Sequence, residues 1–172
     1  MERVTSDDDR AITLTPAEFD GFYGANWHRV VGALRVAFGS TSLAEDAAQD
    51  AFVKAYVRWR RVRRMEQPGR WVTTVAFRRA MRLARRRPET QLSDAHDLGR
   101  AAEHEVEQHD AFADALAPLT ERQRIAAVLR YECDLPTKEI ARIMGCADPT
   151  VRALLSQAAD RLRVAPHGGE VG

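Results

Sequence analysis

The chain has 172 residues, 45% hydrophobic and 7% aromatic, with 26 basic and 25 acidic side chains. That supports one modest core or two small ones and excludes a large multidomain enzyme. No apolar run reaches the roughly 18 residues of a spanning helix, and Met1-Glu2-Arg3 leading into Asp7-Asp8-Asp9 lacks the pattern of a secretory signal, so the sequence reads as cytoplasmic with no membrane insertion.

Taken in chain order, residues 1–14 read as a disordered arm. Thr15-Pro16-Ala17-Glu18 is a capping box with a first-turn proline, and it predicts a helix to about Phe38, where Gly39 ends it. Phe19, Phe22, Tyr23, Val30, Leu34 and Phe38 form its apolar side. Ser42-Leu43-Ala44-Glu45 reads as a second capping box, opening a helix to about Trp59 with Ala48, Phe52, Ala55, Tyr56 and Trp59 on one stripe. A basic loop, Arg60 to Gln67, leads to a third helix from Pro68 to the residue before Pro88. Residues 88–111 are polar and acidic, the composition of a flexible linker. Residues 112–163 hold a second helical unit punctuated by Pro118, Pro136, Gly145 and Pro149, and 164–172 read as a disordered tail. No segment alternates with period two, so the fold is all-α: two small helical domains, 15–87 and 112–163.

A near-neutral total hides strong segregation of charge. Residues 54–87 carry 13 basic side chains against Glu66 alone, interleaved with Tyr56, Trp59, Trp71 and Phe77. Such a stretch suits a phosphate backbone with bases available for stacking better than a solvated or membrane-facing basic helix. Asp46, Gln49 and Asp50, spaced i, i+3, i+4, form an acidic docking ridge on the preceding helix.

Leu135 to Arg152 has the layout of a helix-turn-helix. Ile140, Ala141 and Met144 face inward, Gly145 supplies the turn, and Asp148-Pro149 starts the second helix, anchored by Val151, Leu155 and Leu162. This leaves Thr150, Arg152, Ala153, Ser156 and Gln157 on the part of a recognition helix that reads base edges.

On Asp46-Ala-Ala-Gln49-Asp50-Ala-Phe52-Val53-Lys54-Ala55-Tyr56, Trp71-Val72-Thr73-Thr74-Val75-Ala76 and Leu119 to Tyr131 with the helix-turn-helix, the chain resembles the bacterial extracytoplasmic-function (ECF) sigma factors, the two-domain members of the sigma-seventy family. The resemblance implies a 15–87 domain that docks on the beta-prime clamp helices of core RNA polymerase through Asp46, Gln49, Asp50 and Val53. It implies that Arg60, Arg61, Arg63, Arg64, Arg70, Trp71, Thr74, Arg78, Arg79 and Arg82 recognise and melt the −10 element, the 60–67 loop capturing an extruded base. The 112–163 domain would read the −35 element with Lys138, Thr150, Arg152, Ala153, Ser156 and Gln157 and meet the beta flap. Leu154 and Gln157 stand where the family commonly carries basic residues, so −35 readout is expected to be weaker or differently specified, with Arg152 as its main contact. An inhibitory anti-sigma partner is also implied.

The alternative is a helix-turn-helix regulator of another type, which leaves the ridge, the basic loop and Trp71 unexplained. An enzyme is not expected, and neither is a cofactor. His104 and His109 are five apart and the two cysteines thirteen apart, spacings that suit no metal site, and Cys133 and Cys146 read as free thiols.

Overall fold

Helix signals at prolines and glycines divide the chain, and the apolar stripes between them decide what packs. In a computed structural model that describes residues 16–86 and 112–164, α1 runs Pro16–Phe38, α2 Thr41–Val57, α3 Trp59–Val62 and α4 Pro68–Ala84. After a helical turn at 112–115, α5 spans Glu121–Ala127 and widens into a π-helical turn, Val128–Glu132. The helix-turn-helix follows as α6, Thr137–Met144, and α7, Asp148–Val164. There is no strand among the described residues, as an all-α fold requires. The 1–14 arm, the 88–111 linker and the tail beyond Val164 lie outside the described residues.

Gly39 closes α1 at φ +65°, its N–H bonded to the Arg35 carbonyl at 2.8 Å, a left-handed cap that glycine adopts without strain. The cap of α2 is Ser40, two residues before the expected Ser42: its hydroxyl accepts from the Leu43 N–H at 3.4 Å. The stripe read as one helix to Trp59 breaks at Arg58, and the first half of the basic loop is α3. A capping box that the residue pattern alone did not single out opens α5. Thr120 accepts from the Gln123 N–H while the Gln123 side chain accepts from the Thr120 N–H at 3.1 Å.

Phe77, Leu34, Ile125, Leu129, Leu135 and Ile140 are among the largest fully enclosed side chains, each worth about 1.5–3 kcal/mol of burial. Val30, Leu34, Phe52, Val72 and Phe77 pack the first unit, and Ile125, Val128, Ile140, Met144 and Val151 the second. These are one continuous cluster, because the second unit sits against the first: α1 meets α5 and the π-helical turn, and α4 meets α6. Polar contacts close the seam. Arg124 Nε donates to the Ala37 carbonyl at 3.1 Å, meeting an acceptor that the end of α1 leaves unpaired, and Arg70 ion-pairs with Glu139.

Candidate polymerase and nucleic-acid interface

The ridge on α2 is built by its own burial pattern. Leu43, Ala44, Ala47, Ala48, Ala51, Phe52 and Ala55 face the core, so Asp46, Gln49 and Val53 point to solvent. Val53, Tyr56 and Val57 are 55%, 60% and 77% exposed, which extends the acidic ridge into an apolar strip. Tyr56, expected on the inward stripe, instead lies outside against Phe19 at a ring separation of 5.0 Å. Asp50 is half-buried and holds Arg79 Nε at 2.5 Å.

The basic segment is less free than its composition suggests. Arg60, Arg61, Arg64, Arg78 and Arg82 are exposed. Arg63 is paired to Glu18 at 3.0 Å, Arg79 to Asp50, and Arg70 to Glu139 through Nε and Nη2 at 3.0 and 2.7 Å. Trp71 is half-buried. Thr74, grouped with the DNA-facing residues, is only 8% exposed because it falls on the side of α4 that packs inward with Val72 and Phe77. Trp59 and Phe77, read as surfaces for bases, belong to the interior at 6% and 0% exposure.

Beside the 63–67 loop, Glu18, Trp59, Arg63, Arg64 and Pro68 border an open cleft of about 370 Å³. Trp59 Nε1 and Arg63 Nε are buried and carry no hydrogen-bond acceptor. Glu18 was not expected in the site. Glu18 is 45 residues from Arg63 and nothing local announces it.

In the second unit, Ile140, Ala141, Met144 and Val151 are buried and Gly145 turns the chain at φ +64°, with the Cys146 N–H bonded to the Ala141 carbonyl at 3.0 Å. Thr150, Arg152, Ala153, Ser156 and Gln157 line the exposed side of α7, and Lys138 is exposed on α6. Gln157 accepts from Gln123 Nε2 at 3.2 Å, which fixes its amide. Arg142, one turn after Lys138 on the same face, was passed over. With Lys138, Gly145 and Asp148 it borders a cleft of about 550 Å³.

Burial, with the Glu132 carboxylate adding to it, pushes the thiol of the partly buried Cys133 up to about 12, so it stays protonated at neutral pH. Among the described residues no cluster could hold a metal ion, and no helix is long and apolar enough to cross a membrane.

Known proteins place this geometry in a family. Residues 22–90 match the model of sigma-70 region 2 and residues 109–162 that of sigma-70 region 4, in the order and around the helices described above. The RNA polymerase sigma-E factor of Streptomyces antibioticus is 30% identical over 128 residues, covering 70% of this chain and 68% of that protein. The RNA polymerase sigma factor FliA of Pseudomonas aeruginosa is 45% identical over 53 residues, 31% of this chain but only 22% of FliA. The fold matches the sigma factor RpoE, solved in complex with the anti-sigma factor NepR from Bartonella quintana, with a TM-score of 0.61 at 23% identity, covering 85% of this chain and 94% of that one. With both regions matched in order and a relative aligned over two thirds of its length, the chain belongs to the sigma-70 family as an ECF sigma factor.

Proposed function

We propose that the chain binds core RNA polymerase, recognises −10 and −35 promoter elements, and promotes the melting that starts transcription, acting in the cytoplasm without chemistry of its own. The observation that carries this reading is the exposure, on one chain, of the Asp46-Gln49-Val53 ridge, the Arg60-Arg61-Arg64 and Arg78-Arg82 groups, and the Thr150-to-Gln157 face. The ridge with its apolar strip suits the beta-prime clamp helices, and the second unit suits the beta flap.

Melting needs no catalysis. It needs affinity for unstacked strand conformations that offsets the few kcal/mol of flipping a base. The cleft beside Arg63 supplies a recess for a captured base, while the exposed Arg78 and Arg82 supply phosphate contacts. An inhibitory anti-sigma protein, such as the one bound to RpoE in its complex, would cover these faces.

Transcription of fragmented genomic DNA by purified core polymerase, with and without the chain, tests the reading. Starts that appear only with the chain and share two spaced upstream elements are expected. DNA binding without chain-dependent starts would favour an ordinary helix-turn-helix regulator. Asp50→Arg is expected to abolish core binding with the fold intact, and because Asp50 also holds Arg79, Asp46→Arg is the cleaner companion. Normal core binding by both would remove the ridge.

A further inference from the structure

A side-chain amide donates from one end and accepts at the other, and which end Gln157 leaves free is settled by a hydrogen-bond relay that begins on the backbone. A backbone N–H is a donor only, so the Gln123 atom that receives the Thr120 N–H at 3.1 Å is Oε1. That leaves Gln123 Nε2 to donate to Gln157 at 3.2 Å, so the receiving atom of Gln157 is in turn Oε1. Gln123 is only 3% exposed, and its own N–H is held by the Thr120 hydroxyl at 3.4 Å. Packing and the capping box together fix it in this orientation.

The free end of Gln157 is therefore Nε2. The side chain is exposed, and nothing among the described residues takes its amide protons. Its neighbours toward the start of α7 are slim, Ala153 one turn before and Ser156 beside it, both exposed. Asp160, the carboxylate within one turn, is already held by Arg163. A glutamine free to turn over reads adenine with both ends of its amide, accepting from N6 and donating to N7. Gln157 has its acceptor engaged. Donors alone suit guanine, which shows the acceptors N7 and O6 side by side in the major groove; thymine shows one acceptor, and cytosine only the N4 donor.

We propose that Gln157 is a donor-only reader that selects guanine over adenine and cytosine at one position of the upstream element, and that the buried Gln123 is its positioning residue. The inference rests on the reading of α7 as the face that meets the −35 element. It adds the identity of one base and a residue outside the recognition helix that sets it. Gln123 sits on α5, 34 positions before the side chain it orients.

The full chain, with and without core polymerase, is used to select from a library of randomised duplexes, and base frequencies are counted in the retained sequences. The parent is expected to favour guanine at one position by about fivefold or more over adenine and cytosine. Gln123→Glu keeps an acceptor for the Thr120 N–H, as the usual capping box does, but at about pH 8 it has no proton to give Gln157. The Gln157 amide then turns over, Nε2 donating to the new carboxylate and Oε1 facing the DNA. Preference at that position should move to adenine and cytosine, the bases with an amine donor, and stay unchanged at the other positions. Should the buried carboxylate unfold the chain, which circular dichroism reads, Gln123→Met serves: it frees the amide, and guanine's advantage over adenine should fall to about twofold or less. Gln157→Ala should erase the preference. A guanine preference that neither residue 123 nor residue 157 moves overturns the inference, and so does the absence of any retained duplex. Preference that follows residue 123 on duplexes held without polymerase, with no chain-dependent transcription starts, would keep the relay and remove the polymerase reading alone. Chain-dependent starts with a preference blind to both residues would do the reverse.

Discussion

The two faces proposed to meet nucleic acid are prepared differently. On α7 the reading residues project into solvent, and only Gln157 has a fixed partner, Gln123. On the first unit three of the arginines are already engaged by carboxylates, Arg63 by Glu18, Arg70 by Glu139 and Arg79 by Asp50. A face for duplex DNA can wait exposed, because groove and recognition helix are both preformed. On the proposed function, the first face would exchange these carboxylates for phosphates before it took melted DNA.

The contrast breaks first at Phe77. If the basic-aromatic segment were a stacking platform, Phe77→Ala would weaken strand binding with little effect on stability. Its complete burial against Phe38, ring centroids 6.0 Å apart, predicts instead a loss of about 3–5 kcal/mol, read as a lowered thermal midpoint by circular dichroism.

That residue also marks what the sequence can convey. Helix positions, the Gly145 turn and the inward set Ile140, Ala141, Met144 and Val151 follow from local spacing, which is why the second unit was legible almost residue by residue. Aromatics among arginines have no such local signature, since packing and stacking use the same residue types. Glu18–Arg63 and Arg70–Glu139 join residues 45 and 69 positions apart, so topology alone brings them together. Ser40 and Ser42 are both competent caps, and only the backbone decides between them.

On the open face, Arg152→Ala is expected to weaken −35-dependent initiation by about 1–3 kcal/mol if the side chain contacts a base, checked by transcription from templates with and without the −35 element. An equal loss on both templates would make Arg152 a phosphate contact. The capping box that orients α5 beneath this face gives a smaller effect: Thr120→Ala should cost about 1 kcal/mol in denaturant unfolding.

Cys133 sharpens the burial side of the contrast. Burial pushes its folded thiol up to about 12 from an ordinary value of 9.0, so well below pH 9 it contributes no pH dependence. Above that, the unfolded chain loses a proton that the folded chain keeps, and stability falls as pH rises toward 12. Replacing Cys133 with alanine should flatten that alkaline limb. Iodoacetamide at pH 8.5 should modify Cys133 in the native protein far more slowly than in denaturant, and equal rates would place the thiol at the surface.

The smallest effect tests whether ion-pair length alone decides anything. Arg163–Asp160 and Arg79–Asp50 are both 2.5 Å long. The first pair joins side chains 75% and 63% exposed, where water screens the attraction and ordering two long side chains cancels most of what remains. The second joins side chains 31% and 44% exposed, between two helices that packing already holds. Arg163→Ala should therefore shift stability by less than about 0.5 kcal/mol, and added salt should change that little. A loss above about 1 kcal/mol would mean that the bond from Arg163 Nε to the Ala159 carbonyl holds the last turn of α7, and that the helix carrying the exposed reading face depends on its own end.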